Sequence, residues 1–193
     1  MQTELISEVA RKLIDGSSPL SCVELFAHLD ALGIAHNTVT HRPVYTVEQA
    51  QCVRGQLPGA HSKNLFLRNK KGHMWLITCE EDRNIDLLQA AKLLGAKRFS
   101  FASPERLMNY LGVIPGAVTP FAIINDTGNK VQTVLDASLM ERDLLNFHPL
   151  DNTMTTQLSS RALITFLEAR NHRPVIVDFD RGSVTSGAQA KPS

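Results

Sequence analysis

Lys63-Asn64-Leu65-Phe66-Leu67-Arg68, then Asn69-Lys70-Lys71-Gly72, then Met74-Trp75-Leu76-Ile77-Thr78: two runs rich in large apolar residues flank a polar link ending in glycine. Runs of this length and composition predict strands, and the link predicts an antiparallel hairpin. A second hairpin is predicted where residues 121–124 and 131–135 flank Asp126-Thr127-Gly128-Asn129. Two hairpins exclude a purely parallel sheet, and the helical patterns around them exclude an all-β fold. The expected class is therefore mixed α/β (α+β), with a curved mixed sheet partly covered by helices.

Outward from the hairpin, the chain alternates helical and extended patterns. Leu5, Val9, Leu13 and Ile14 recur at helical spacing and stop at Gly16. Ser21 precedes a second stripe of Val23, Leu25, Phe26, Leu29 and Leu32, with Gly33 as its C-terminal cap. Residues 35–44 predict a strand, and Thr46-Val47-Glu48-Gln49 is a capping-box pattern opening a helix over 48–53. Ile85, Leu88, Ala91 and Leu94 form a stripe ending at Gly95, a short strand follows at 97–101, and Ser103-Pro104 opens a helix to about residue 111. Residues 144–149 and 154–158 read as extended, 160–171 as a helix and 175–179 as a last strand. The domain expectation is one unit over 1–180 with an N-terminal helical extension at about 1–33, then a polar tail over 181–193.

Composition narrows the function. With 193 residues, 43 % hydrophobic and 20 % charged, the chain has the balance of a globular domain. A formal net charge of +1 argues against a protein that coats long nucleic acid, yet allows a partner touched only at its tip. Cys22, Cys52 and Cys79 are odd in number and unpaired in rhythm, so no disulfide framework is expected and a reducing cytoplasmic setting fits. No signal-peptide pattern and no run near 20 apolar residues appears, so no membrane partner is expected. The chain lacks G-x-S-x-G, H-E-x-x-H, a Walker loop and G-x-G-x-x-G. Its His36 and His41 fall five apart, on opposite faces of a strand. These absences argue against a metal, a nucleotide cofactor and a nucleophilic triad; no cofactor is expected.

Three segments carry chemistry beyond scaffolding. In His61-Ser62-Lys63-Asn64 a cation and an amide stand at the mouth of an apolar strand, where a fixed charge can orient an oxygen-rich substrate. Gly112-Val113-Ile114-Pro115-Gly116-Ala117-Val118-Thr119-Pro120 is a loop stiffened by prolines and shaped by glycines, and the amides of such a loop bind carbonyl oxygens or anions. Phe147-His148-Pro149-Leu150-Asp151-Asn152-Thr153 gathers hydrogen-bonding groups between two strands. Each alone is read more simply as a solvated lysine, a rigid connection and an ordinary turn.

Taken together, and in this order, the segments resemble the YbaK/ProX family of prolyl-tRNA editing domains. The resemblance spans residues 34–179 and rests on Arg42-Pro43-Val44-Tyr45-Thr46-Val47-Glu48, Lys63-Asn64-Leu65-Phe66-Leu67, Gly116-Ala117-Val118-Thr119-Pro120, and Phe147-His148-Pro149-Leu150 with Asn152-Thr153. The pattern looks most like the stand-alone alanyl-tRNA(Pro) deacylases. The resemblance implies an aminoacyl-tRNA hydrolase that edits mischarged tRNA(Pro) in trans, most like an Ala-tRNA(Pro) deacylase. A Cys-tRNA(Pro) deacylase and a non-catalytic tRNA-end or synthetase-associated module are the alternatives.

The residues are carried over one by one. Lys63 matches the family's functional lysine, expected to hold the terminal adenosine or the ester region, and Asn64 follows it. Gly116 and Pro120 match the ends of the G-x-x-x-P loop, with Ala117, Val118 and Thr119 between them, whose backbone is expected to position the aminoacyl group. His148, Asn152 and Thr153 are expected to line the same pocket, with Lys63, Gly116 and His148 as the catalytic set. Tyr45 lies where an aromatic side chain would limit pocket size. The implied partners are mischarged tRNA(Pro), through its 3′ acceptor end, and prolyl-tRNA synthetase transiently.

Overall fold

The computed structural model describes residues 11–42 and 57–186. Their elements are helix α1 (Cys22–Ala31), strands β1 (Asn37–Thr40), β2 (Ala60–Arg68) and β3 (Met74–Glu80), helix α2 (Leu87–Leu93), strand β4 (Ser100–Phe101) and helix α3 (Pro104–Leu111). A 3₁₀ helix (Pro120–Asn125), β5 (Val131–Asp136), α4 (Ala137–Met140), β6 (Leu144–Phe147), β7 (Met154–Ser159), α5 (Ser160–Ala169), β8 (Val175–Asp178) and β9 (Ser183–Ser186) follow.

The predicted hairpin forms. β2 and β3 pair antiparallel from Ser62 opposite Glu80 to Arg68 opposite Met74. Its link is closed by the Asn69 N–H donating to the His73 carbonyl at 3.0 Å, with Gly72 at φ +87°. The sheet runs β1-β7-β6-β2-β3-β5-β8-β9, and β4 pairs with β2. β2–β6, β3–β5 and β5–β8 are parallel, whereas the other pairs are antiparallel, so the sheet is mixed as expected.

Strands β3 and β5 are buried on both faces, as is β2 at Phe66 and Leu67, which explains why these stretches read as apolar runs. Phe66, Leu76 and Leu135 face one core cluster with Leu25, Leu29, Leu111, Phe121 and Phe166. Leu67, Trp75, Ile77 and Val134 face a second, with Ala90 and Ala91 of α2 and Val177 of β8. In the first cluster Phe121 meets Phe147 and Phe166 edge-on at 5.7 and 5.4 Å between ring centres, the arrangement aromatic quadrupoles favour.

Local signals set the helix ends. Ser21 and Glu24 form a reciprocal capping box on α1. Gly33 closes that helix: its N–H donates to the Asp30 carbonyl at 2.9 Å, and the Ile34 N–H to that of Leu29 at 3.0 Å. This is the Schellman pattern, and Gly95 with Ala96 repeats it after α2.

Several expectations need correction. Residues 11–16, the described end of the first predicted helix, form a turn in which Gly16 N–H bonds to the Leu13 carbonyl, and Ile14 N–H is taken by the Asn109 carbonyl of α3. Residues 121–124 are a 3₁₀ helix and not a strand. Thr119 caps it and Pro120 opens it, and a short run buried at every position looks the same in either conformation. The second hairpin is therefore absent: β5 pairs in parallel with β3 and β8. The strand expected at 97–101 shrinks to Ser100–Phe101. Val23 and Leu88, placed in apolar stripes, are exposed at 71 % and 64 %. Within the polar tail, Ser183–Ser186 adds an edge strand to β8. The strand expected at 35–44 is β1, Asn37–Thr40, up to residue 42; the helix expected at 48–53 and Tyr45 lie outside the described residues.

Candidate active site

The G-x-x-x-P loop is shaped by its own sequence and then clamped from a distance. Pro115 and Gly116 occupy the middle of a turn closed by the Ala117 N–H donating to the Ile114 carbonyl at 3.0 Å. Proline second and glycine third, with Gly116 at φ +90°, is the combination a type II turn requires. Downstream, the fully buried Thr119 accepts the Phe121 N–H at 3.3 Å, and Pro120 starts the 3₁₀ helix. Upstream, Gly112 caps α3 with φ +66°.

Asn64 is the clamp. Its Nδ2 donates to the Val118 carbonyl at 3.0 Å, and its Oδ1 accepts from the Thr78 hydroxyl at 2.8 Å. The two partners fix which end of the amide is which. Asn152 approaches from the β6–β7 connection: a side-chain carbon placed on Gly116 would lie 3.7 Å from Asn152 Nδ2. Asn64, Gly116, Val118 and Asn152 are thus brought together. Ala117, Thr119 and Pro120 turn into the core behind them, all buried.

The β6–β7 connection is held equally firmly. Asp151 Oδ1 accepts both the N–H and the hydroxyl of Thr153 at 2.8 Å, so the Thr153 side chain is committed to the turn. Leu150 stands at φ +68°, a left-handed conformation costing a non-glycine residue roughly 1–2 kcal/mol, and packs against the first core cluster. His148 Nδ1 lies 2.9 Å from the Met154 carbonyl. Next to it is His41, which follows β1. Its N–H donates to the Thr153 carbonyl at 2.8 Å, its Nε2 lies 2.9 Å from the Thr155 hydroxyl, and its ring centre is 6.3 Å from that of His148. Sequence reasoning missed His41 as a neighbour of the site because the β1–β7 pairing that delivers it leaves no local trace. It missed Thr78 too, although a lone threonine in the apolar run Met74-Trp75-Leu76-Ile77 was a visible signal.

Burial lowers the His148 pKa below its ordinary value, and the like charge of His41 adds to this, against the opposing bond to Met154. At neutral pH the ring is neutral, with its Nδ1 proton given to the carbonyl and its lone pair on Nε2. A histidine whose folded pKa is depressed contributes stability above its unfolded value, near 6.5, and loses it as pH falls from there toward the folded pKa. The urea midpoint of the parent should therefore fall between pH 7.5 and 5.5 more steeply than that of His148→Asn. Parallel slopes would show that His148 is not buried in its neutral form.

Lys63 does not join Asn64. Successive strand residues face opposite ways, and Lys63 pairs with Cys79, on the face of the second core cluster. Its cation is felt by the Cys79 thiol, but burial dominates there and pushes that thiol up to about 11. Cys79 is accordingly protonated and inert at neutral pH. Among the described residues no three His, Cys, Asp or Glu side chains converge as metal ligands, and no helix is long and apolar enough to cross a membrane.

Comparisons with known proteins agree on one family. The model described as "Aminoacyl-tRNA editing domain" matches residues 41–166. The chain is 36 % identical over 149 residues to the prolyl-tRNA editing protein ProX of Acetoanaerobium sticklandii, covering 77 % of this chain and 91 % of that one. It is 38 % identical over 162 residues to a prolyl-tRNA synthetase associated domain-containing protein of Xenopus laevis, covering 81 % and 96 %. To the multifunctional Ser/Thr-tRNA deacylase ProXp-y of Escherichia coli it is 31 % identical over 121 residues, covering 61 % and 70 %. The fold is similar to a crystal structure described as a candidate trans-editing enzyme for prolyl tRNA synthetase, with TM-score 0.65 and 19 % identity over 87 % of this chain and 99 % of that one. The chain belongs to the aminoacyl-tRNA editing domain family, a family of aminoacyl-tRNA hydrolases.

Proposed function

We propose that this protein edits tRNA(Pro) in trans, hydrolysing the ester between a wrongly attached small amino acid, alanine foremost, and the 3′-terminal ribose. The observation that carries the reading is the Asn64 clamp, which holds the carbonyl of Val118 and so fixes the loop to which we assign the binding of the reacting carbonyl. An aminoacyl ester is already activated, so the site needs no covalent nucleophile. Its tasks are to place a water, stabilise the tetrahedral oxyanion and exclude proline. We assign oxyanion binding to the amides of Gly116 and Val118; that of Ala117 is spent within the turn. The neutral His148, with its Nε2 lone pair, and the neighbouring ribose hydroxyl orient the water. Asn152 and Thr153 bound the pocket on the other side, and Tyr45 is assigned to its wall. The ring of proline is rejected sterically: the loop is fixed at Pro115, Thr119 and Pro120, and overpacking a rigid site is costly. Transient association with prolyl-tRNA synthetase belongs to the same reading.

Lys63 acts from the other face of β2, at the strand end, on the terminal adenosine. Lys63→Ala should lower kcat/KM for alanyl-tRNA(Pro) about ten- to hundredfold, the loss of one charge-assisted contact. Unchanged hydrolysis would remove Lys63 from the site.

The deciding experiment is deacylation of tRNA(Pro) charged separately with alanine, cysteine, serine, threonine and proline. Release of alanine with proline spared supports the proposal. Preferential release of cysteine, or of serine and threonine, reassigns the pocket, and binding of charged tRNA without hydrolysis makes the protein a tRNA-end binding module.

A further inference from the structure

Strands β3, β5 and β8 are parallel, and charge is sorted along their common direction. The segments at their C-terminal ends, residues 80–86, 136–143 and 178–181, hold nine carboxylates and three arginines. The arginines are taken up there: Arg83 pairs with Asp136 and Asp180 at 2.9 Å, Arg142 with Glu80 at 2.7 Å, and Arg181 with Asp178 at 3.6 Å. At the other end, residues 68–73, 127–130 and 171–174 carry five cations and no carboxylate. Asp126, just before the second of these, is buried, and its oxygens accept the N–H groups of Lys130 and Val131. A net charge of +1 thus conceals a dipole along the sheet.

The basic end contains a cleft of about 360 Å³ lined by His73, Trp75, Asn129, Lys130, Asn171 and Arg173. Lys130 and Arg173 are exposed on it. Asn129 and Asn171 hold their turns open in the left-handed conformation, at φ +50° and +60°. Asn64, which holds the editing loop at Val118, is bonded to Thr78, five residues from His73 along β3. That is roughly 17 Å at ~3.3 Å per residue, or about five phosphate steps of a helical strand at ~3.4 Å each.

A polyanion with its end in the editing site is repelled by the carboxylate end of the sheet and drawn to the basic end. We infer that the acceptor stem of the tRNA runs from the site toward the β2–β3 hairpin and that its phosphates bind Lys130 and Arg173 in this cleft. The contact fixes orientation without reading bases. This inference rests on the tRNA substrate proposed above.

The test compares the full chain with Lys130→Glu/Arg173→Glu on two substrates, alanyl-tRNA(Pro) and the alanyl ester of a CCA trinucleotide, across salt concentrations. For the tRNA, KM should rise at least about tenfold near 0.1 M salt with kcat unchanged, and the salt dependence should become shallower by nearly two in log–log slope. The trinucleotide ester should be hydrolysed at the parent's rate. Equal loss on both substrates, or none on the tRNA, overturns the inference. Lys130→Gln/Arg173→Gln, with thermal midpoints for both variants, separates lost phosphate contacts from a damaged fold. Anisotropy binding of uncharged tRNA(Pro) isolates the surface from the chemistry. If the parent cleaves no ester, the editing proposal fails, yet weaker tRNA binding by the variant still supports the cleft. A parent that binds no tRNA overturns both.

Discussion

Asn64→Asp should lower kcat/KM for alanyl-tRNA(Pro) about 10²–10³-fold, measured in single turnover. The substitution is isosteric and keeps the acceptor that Thr78 uses, but it removes the N–H that holds the Val118 carbonyl. A charged oxygen would then face a carbonyl oxygen across 3.0 Å, and the loop must give way. Displacing positioned groups by about 1 Å is enough for a 10²-fold loss. The new negative charge also stands beside the developing oxyanion, where it raises the barrier further. Thr78→Val, which removes only the other half of the clamp, should cost no more than a few-fold. Parent-like turnover by Asn64→Asp would dismiss the clamp as the organiser of the site.

Gly112→Ala carries the largest expected cost in stability. Gly112 sits at φ +66°, which costs an alanine roughly 1–2 kcal/mol. Its new Cβ would lie 2.6 Å from Pro19 Cβ and 2.7 Å from Asn125 Nδ2. Relieving such overlap costs about 1–3 kcal/mol more. Asn125 cannot step aside freely, because it donates to the Leu111 carbonyl and accepts the Leu20 N–H, tying the start of α1 to the end of α3. The thermal midpoint should drop by about 5–15 °C, at roughly 2–4 °C per kcal/mol for a chain of this size. Gly33→Ala is the control: its φ is also +66°, but nothing lies within 4 Å of the added carbon. It should lose only a few degrees. Equal losses at the two positions would show that backbone conformation alone, and not crowding, explains Gly112.

The contrast between these glycines also shows what the chain reveals before it folds. Gly33 and Gly95 announce helix ends because their role is complete within a few residues, and the hairpin at Asn69–Gly72 is equally local. The turn at Pro115–Gly116 was legible for the same reason. Residues 121–124 were not, because burial on every side erases the periodicity that separates a strand from a helical turn. In the site, the residue types were legible and their relation was not. Asn64 reads as Lys63's neighbour, yet its partner is Val118, 54 residues later, and the strand turns Lys63 away from it. His41 meets His148 only through a pairing that spans most of the chain.

That pairing has a consequence during synthesis. Among the described residues β1 pairs with β7 alone, with Thr40 opposite Met154, so 113 residues must be made between the two. At about 5–20 residues per second, β1 waits roughly 6–23 s on the ribosome with the edge that β7 will take still open. An open edge is a template for pairing with other chains. The Asn-Thr-Val-Thr composition of β1 suits that interval: four residues, three of them polar, offer a neighbouring nascent chain little to grip.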